Sequence, residues 1–68
     1  MPNNMARTRQ TTQAKLLMPG MVIFDAPQKY KVLEVQNKPE QLTRVHVKQH
    51  GKEPQWIAYK WHDRVRLY

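Results

Sequence analysis

The fold is decided by residues 18–35, which read Met-Pro-Gly-Met-Val-Ile-Phe-Asp-Ala-Pro-Gln-Lys-Tyr-Lys-Val-Leu-Glu-Val. Two apolar runs, 22–24 and 30–35, flank a polar segment that contains Asp25 and Pro27. Because proline presets φ and aspartate accepts hydrogen bonds from the backbone that follows it, this segment predicts a turn. The preceding Pro19-Gly20 pair ends whatever structure comes before the first run. The stretch therefore predicts a β-hairpin.

Residues 42–49 show the cleanest alternation of apolar and polar side chains in the chain. Val45 and Val47 point to one face, while Arg44, His46 and Lys48 point to the other, and His50 continues that row. A period of two with one apolar face predicts a half-buried antiparallel strand with a cationic outer face.

Two more strands are predicted after the turn at residues 51–54. Residues 55–61 place Trp56 on one face and Tyr59 with Trp61 on the other. After a corner at 62–63, residues 64–68 form a last strand with Val65 and Leu67 inward. Arg64, Arg66 and Tyr68 then point outward.

Five short strands without a long helical period predict an all-β fold, a small five-stranded barrel over residues 16–68. Val32 beside Leu33 interrupts the alternation, as expected where a strand bends around a barrel corner. Residues 1–15 are basic, acid-free and almost without apolar side chains, so they predict a disordered basic arm. Thr11 or Thr12 is expected to cap one helical turn before the first strand, and Leu16 and Leu17 to be the first core residues.

Three segments, 17–23, 30–36 and 44–48, together resemble the N-terminal barrel of elongation factor P and its archaeal and eukaryotic counterparts. The resemblance implies an SH3-like barrel of the KOW type, a class found in ribosome-associated and transcription-associated proteins. The family has a longer glycine-rich loop whose tip carries a modified lysine. Here residues 37–41 lack glycine and Lys38 lies beside Pro39, so we do not transfer the modification. The family's further C-terminal barrels are not in these residues.

The composition argues against several classes of function. The 68 residues contain no cysteine, which excludes disulfides and thiolate zinc sites and favours a reducing, cytoplasmic or nucleoid-associated location. Without cysteine or serine, and with scattered carboxylates, the sequence predicts no enzyme. His46 and His50 lie about 13 Å apart at strand rise, too far to chelate one ion, so neither a metal nor another cofactor is expected. The apolar runs are too short to cross a membrane.

The charge balance points to a polyanionic partner. Twelve Lys and Arg against five Asp and Glu give a net charge of +7. This excess predicts binding of DNA or RNA through phosphate contacts that are largely independent of sequence. If the strands at 42–49 and 64–68 lie on one side of the barrel, their rows form one cationic surface. The candidate contact residues are Arg7, Arg9, Lys29, Lys31, Arg44, His46, Lys48, Lys52, Lys60, Arg64, Arg66 and Tyr68, and the candidates for base stacking are Trp56, Tyr59 and Trp61.

A protein-binding role is the alternative hypothesis. A small adaptor or inhibitor, for example one encoded by a phage or plasmid, docks on an acidic host protein through aromatic side chains or through an exposed strand edge. Exposed Trp56 and Trp61 beside an apolar patch would favour this alternative. Association between copies of the chain through an edge strand is a third expectation, because so small a core is marginal.

Overall fold

The computed structural model describes residues 10–68, which form six strands and one 3₁₀ helix. In chain order these are β1 (Thr11–Gln13), the 3₁₀ helix (Ala14–Leu16), β2 (Val22–Asp25), β3 (Gln28–Lys38), β4 (Leu42–Lys48), β5 (Gln55–Lys60) and β6 (Arg64–Arg66). The predicted all-β class is confirmed. Within the described residues, no helix is long and apolar enough to cross a membrane.

The strands form two open sheets. Strands β2, β3, β4 and β5 form an antiparallel sheet in that order, and β1 pairs with β6 in a second one. A single bridge between Ile23 and Leu67 links β2 to the chain after β6. The sequence predicted five strands around one barrel. Residues 10–68 instead form six strands in two sheets, and among them β5 has a paired neighbour on one side only.

The opening hairpin forms as predicted. Strands β2 and β3 pair from Val22 opposite Lys31 to Asp25 opposite Gln28, with the turn at residues 26–27. The register between β3 and β4 shifts between Val32 and Glu34, which is the irregularity expected at this point. Strand β3 runs to Lys38, so the loop before β4 is shorter than the sequence suggested.

The core is built from small and β-branched side chains. Val45 and Val47 are fully buried, as their alternation predicted, and Leu16 is 55% exposed, so it is not one of the first core residues. The buried apolar residues are Ala14, Leu17, Ile23, Val32, Val45, Val47 and Val65.

The folded part begins closer to the N-terminus than predicted. Residues 11–15 were assigned to the arm, but Thr11–Gln13 pairs with β6 and Ala14 is buried. The Ala14 amide donates to the Asp63 carbonyl at 2.9 Å, and the Lys15 amide donates to the Trp61 carbonyl at 3.1 Å. These backbone bonds hold a segment whose composition alone predicts disorder.

The predicted threonine cap is also wrong. The 3₁₀ helix follows Gln13, which makes no capping side-chain bond, and the Thr12 hydroxyl donates to the Gln13 carbonyl. A different polar contact fixes the helix. The buried Thr43 hydroxyl donates to Asn37 Oδ1 at 2.6 Å, and Asn37 Nδ2 donates to the Lys15 carbonyl at 3.1 Å. This chain of bonds ties the helix to β3 and β4.

Candidate nucleic-acid interface

The outer face of the four-stranded sheet, opposite the buried valines, carries a dense set of cations. The register places His46 between Glu34 and Trp56, and it places Lys48 beside Lys31. The side chains that share this face include the cations Lys29, Lys31, Lys38, Arg44, Lys48 and Lys60 and one carboxylate, Glu34. We call this surface the outer face.

Three side chains at the centre of the outer face form a cluster. The rings of His46 and Trp56 stack with centroids 4.6 Å apart and an interplanar angle of 14°. The Arg44 guanidinium carbon lies 4.9 Å from the centre of the Trp56 ring. Trp56 remains 38% exposed. The cluster therefore combines an aromatic surface with a cation in one accessible position.

The strand register explains why His46 meets Trp56. The Trp61 amide donates to the Gln41 carbonyl at 2.9 Å, one position beyond the last paired residues of β4 and β5. Hydrogen-bonded and non-hydrogen-bonded pairs alternate along an antiparallel ladder, so His46 and Trp56 form a non-hydrogen-bonded pair. Side chains are closest in such pairs, which brings the two rings into contact.

A second aromatic lies at the β2 end of the outer face. The Tyr68 amide donates to the Val22 carbonyl at 2.9 Å, and the Tyr68 ring is 69% exposed. Lys29 Nζ lies 3.8 Å from the centre of that ring, and the Phe24 ring lies 5.7 Å away. Lys29 lowers the pKa of the Tyr68 hydroxyl, by hydrogen bonding first and by its charge second. Lys29 and Tyr68, two of the candidate contact residues, thus lie together.

The arginines of β6 lie elsewhere. Arg64 and Arg66 belong to the second sheet and line a cleft of about 470 Å³ together with Ile57 and Tyr59 of β5. Ile57 and Tyr59 point to the side of β5 opposite Trp56. The predicted continuous cationic surface is therefore not formed. Arg44 and Lys48 of β4 lie on the outer face, whereas Arg64 and Arg66 of β6 line the cleft.

The other two stacking candidates are held by the fold. Trp61 is half-buried, and its indole N–H donates to the Leu42 carbonyl at 3.1 Å, with Lys15 Nζ 5.9 Å from the ring centre. Tyr59 packs against the core from the cleft side. Burial raises the pKa of Tyr59, and Asp25, Tyr30 and Asp63 raise it further by their charge.

The remaining candidates are spread out. Lys52 lies in the turn between β4 and β5, and its amide donates to the Gln49 carbonyl at 3.0 Å. Arg7 and Arg9 lie outside the described residues. Lys38 was missed because it was assigned to a loop, whereas β3 extends to include it and places it opposite Leu42. A strand signal that continued through residues 36–38 could have found it.

Residues 10–68 contain no group of three or more His, Asp or Glu side chains that could hold a metal ion. His62 is oriented by Gln13, whose Oε1 lies 3.2 Å from His62 Nδ1.

Comparison with known proteins gave no match to a family model, to a curated protein or to a solved structure.

Proposed function

We propose that this protein binds nucleic acid through the outer face, with phosphates held by its lysines and arginine and a base stacked at Trp56. The observation that carries the proposal is the cluster of Arg44, His46 and Trp56 at the centre of a cationic sheet. Proteins that bind single strands without sequence preference combine a positive surface with exposed aromatic side chains in this way.

The charge on the outer face supports phosphate binding. Six Lys and Arg side chains share this face with one carboxylate, and that carboxylate, Glu34, already accepts a hydrogen bond from Gln36 Nε2. Phosphates that approach these cations release condensed counterions, so affinity rises without any reading of bases. Binding is thus expected to be largely independent of sequence.

The surroundings of Trp56 favour nucleic acid over the adaptor hypothesis on this face. Exposed Trp56 and Trp61 beside an apolar patch would favour the protein-binding alternative. Trp56 is exposed, but it contacts Arg44 and His46, and Trp61 is half-buried and fixed through its indole N–H. A base that stacks on Trp56 or on the guanidinium of Arg44 gains a flat partner and a cation together.

The proposal extends to the type of fold. We propose an open variant of the SH3-like barrel, in keeping with the resemblance to the KOW-type module. The support is the order of the five predicted strands and the bridge between Ile23 and Leu67, which brings the second sheet against β2. This relationship agrees with a role beside RNA or DNA, and we propose that such a role is exercised in the cytoplasm or on the nucleoid.

Tryptophan fluorescence tests the proposal directly, because the chain has two tryptophans that occupy different positions. In a Trp61→Phe variant, all tryptophan fluorescence comes from Trp56. We expect single-stranded DNA and RNA 12-mers to quench its emission. With about four phosphate contacts, affinity falls about 50-fold between 50 and 200 mM salt.

The matched control is Trp56→Phe, in which only Trp61 reports and the quenching is expected to be small. Circular dichroism confirms that both variants are folded. Absence of quenching at low salt, or an affinity that does not change with salt, would reject the proposal. Duplexes of equal length measure the preference for single strands.

A further inference from the structure

The cleft differs from the outer face in its chemistry. Its volume is about 470 Å³, and residues of β2, β3, β5 and β6 line it. Ile23, Ile57 and Val65 supply apolar surface, and Arg64 and Arg66 lie on the β6 side. An apolar floor beside two guanidinium groups suits a ligand that is both apolar and anionic.

Strand β5 runs along this cleft, and within residues 10–68 its edge away from β4 pairs with no other strand. We call this the free edge. The pair of Trp61 and Gln41 is hydrogen-bonded, so by alternation Ile57 and Tyr59 also bond to β4. Trp56 and Ala58, which alternate with them, do not. The N–H and C=O groups of Trp56 and Ala58 therefore point away from β4. The next free position, Lys60, is already occupied, because its amide donates to Asp63 Oδ2 at 2.9 Å. The free edge thus offers two residues and ends at Lys60.

We propose that this cleft binds an extended acidic peptide, which pairs with Trp56 and Ala58 as an added strand, inserts an apolar side chain and places carboxylates beside Arg64 and Arg66. Added strands gain affinity from backbone hydrogen bonds, and the pockets for alternate side chains supply specificity. The cleft contains one carboxylate, Asp25, against the two guanidinium groups, so its charge favours an acidic segment.

Charge also argues against the two other occupants. A second copy of this chain would present β5 (Gln55–Lys60), which contains Lys60 and no acid. Residues 1–9 contain Arg7 and Arg9 and no acid. A nucleic acid satisfies the arginines but has no backbone amides to pair with the edge of β5. An acidic peptide can pair with the arginines through its carboxylates and with the edge of β5 through its backbone.

The probe is a fluorescein-labelled peptide, Asp-Asp-Val-Phe-Val-Asp-Asp. In an extended strand its phenylalanine lies on one face between two aspartates, which matches the apolar floor and the arginine side. The control peptide replaces every aspartate by lysine. Fluorescence anisotropy is expected to show saturable binding of the acidic peptide and none of the basic one. Amide chemical shifts of Trp56 and Ala58 are expected to move on binding.

Two variants separate the contributions of the edge and of the charge. Ala58→Pro removes an N–H that points away from β4, a position where strands tolerate proline, and it is expected to weaken the acidic peptide about fivefold. Its matched control, Ala58→Val, keeps the N–H and the affinity. Arg64→Gln with Arg66→Gln is expected to weaken the peptide about five- to tenfold, whereas Arg44→Gln leaves it unchanged.

Each remaining outcome overturns the proposal. Equal binding of the two peptides, or full affinity in Ala58→Pro, excludes strand addition by an acidic segment. Sedimentation that shows a dimer lost in Ala58→Pro assigns the edge to a second copy. Loss of oligonucleotide binding in the Arg64 and Arg66 double variant assigns the cleft to nucleic acid. The outer-face proposal is tested separately, since it depends on Trp56 quenching in the Trp61→Phe variant.

Discussion

Strands β4 and β6 carry similar sequence patterns and acquire different surroundings. Each alternates buried valine with an exposed cation, Val45 beside Arg44 and Val65 beside Arg64. Strand β4 has paired neighbours on both sides, so its cations share a broad face with Trp56. Strand β6 pairs with three residues of β1, and its cations line a cleft. The neighbours of a strand, and not its own alternation, decide what an outward cation can bind.

Truncating the buried side of β4 is expected to have the largest effect. Val45 is fully buried, so Val45→Ala should lower the free energy of unfolding by about 2–3 kcal/mol through lost burial and an unfilled cavity. Urea denaturation followed by circular dichroism measures this loss. The control is Leu42→Ala on the outer face of the same strand, where the side chain is 39% exposed and the loss should be under about 1 kcal/mol. Equal losses would contradict the assignment of the two faces.

The second largest effect is expected from removing the Trp56 ring from the outer face. Trp56→Ala should weaken oligonucleotide binding by about 1–3 kcal/mol, because a stacked base loses its partner. Trp61→Phe is the aromatic control, since it keeps a ring in place and loses only the bond to the Leu42 carbonyl. Anisotropy titrations of the two variants at the same salt concentration provide the comparison. A larger loss of oligonucleotide affinity in Trp61→Phe than in Trp56→Ala would indicate that bases stack on Trp61, and it would contradict the proposal.

A smaller effect is expected on the salt dependence of oligonucleotide binding, and it compares Arg44 of the outer face with Arg64 of the cleft. Arg44→Gln should reduce the slope of log affinity against log salt by about 0.7 for a single strand, because one phosphate contact is lost. Arg64→Gln makes the same change in charge and should leave the slope unaltered. Oligonucleotide affinity at four salt concentrations gives both slopes. Equal changes would show that net charge, and not the outer face, governs binding.

The smallest expected effect concerns alkaline stability on the cleft side. Burial raises the pKa of Tyr59 above 10.0, the value of the free side chain. Above pH 10 the unfolded chain therefore loses the Tyr59 proton before the folded chain does, and stability falls as pH rises. Urea denaturation at about pH 9 and pH 11 measures the decline. It should be smaller in Tyr59→Phe.

The pKa of Tyr68, on the outer face, is shifted in the opposite direction to that of Tyr59. Lys29 lowers the pKa of the Tyr68 hydroxyl, so its tyrosinate absorbance should appear at lower pH than that of Tyr59. Lys29→Gln should move the Tyr68 titration upward. If Tyr68 titrates no earlier than Tyr59 in the unaltered protein, the contact between Lys29 and Tyr68 is absent in solution.

The local pattern of the chain predicted much of this structure. The hairpin of β2 and β3, the buried Val45 and Val47, and the irregularity near Leu33 all follow from neighbouring residues in the sequence. Turn residues and period-two alternation act over a few residues, and such short-range preferences can be read without knowing the fold. The cations of β4 were found in the same way.

Tertiary structure decided which of these residues meet. Strand β1 exists because residues 11–13 pair with β6, more than fifty residues later, and not because of their own composition. The stack of His46 on Trp56 depends on the register of β4 and β5, and the separation of Arg44 from Arg64 depends on the division into two sheets. Alternation tells a side chain's face within its own strand, but the energy that selects neighbouring strands comes from pairing and burial across the whole chain.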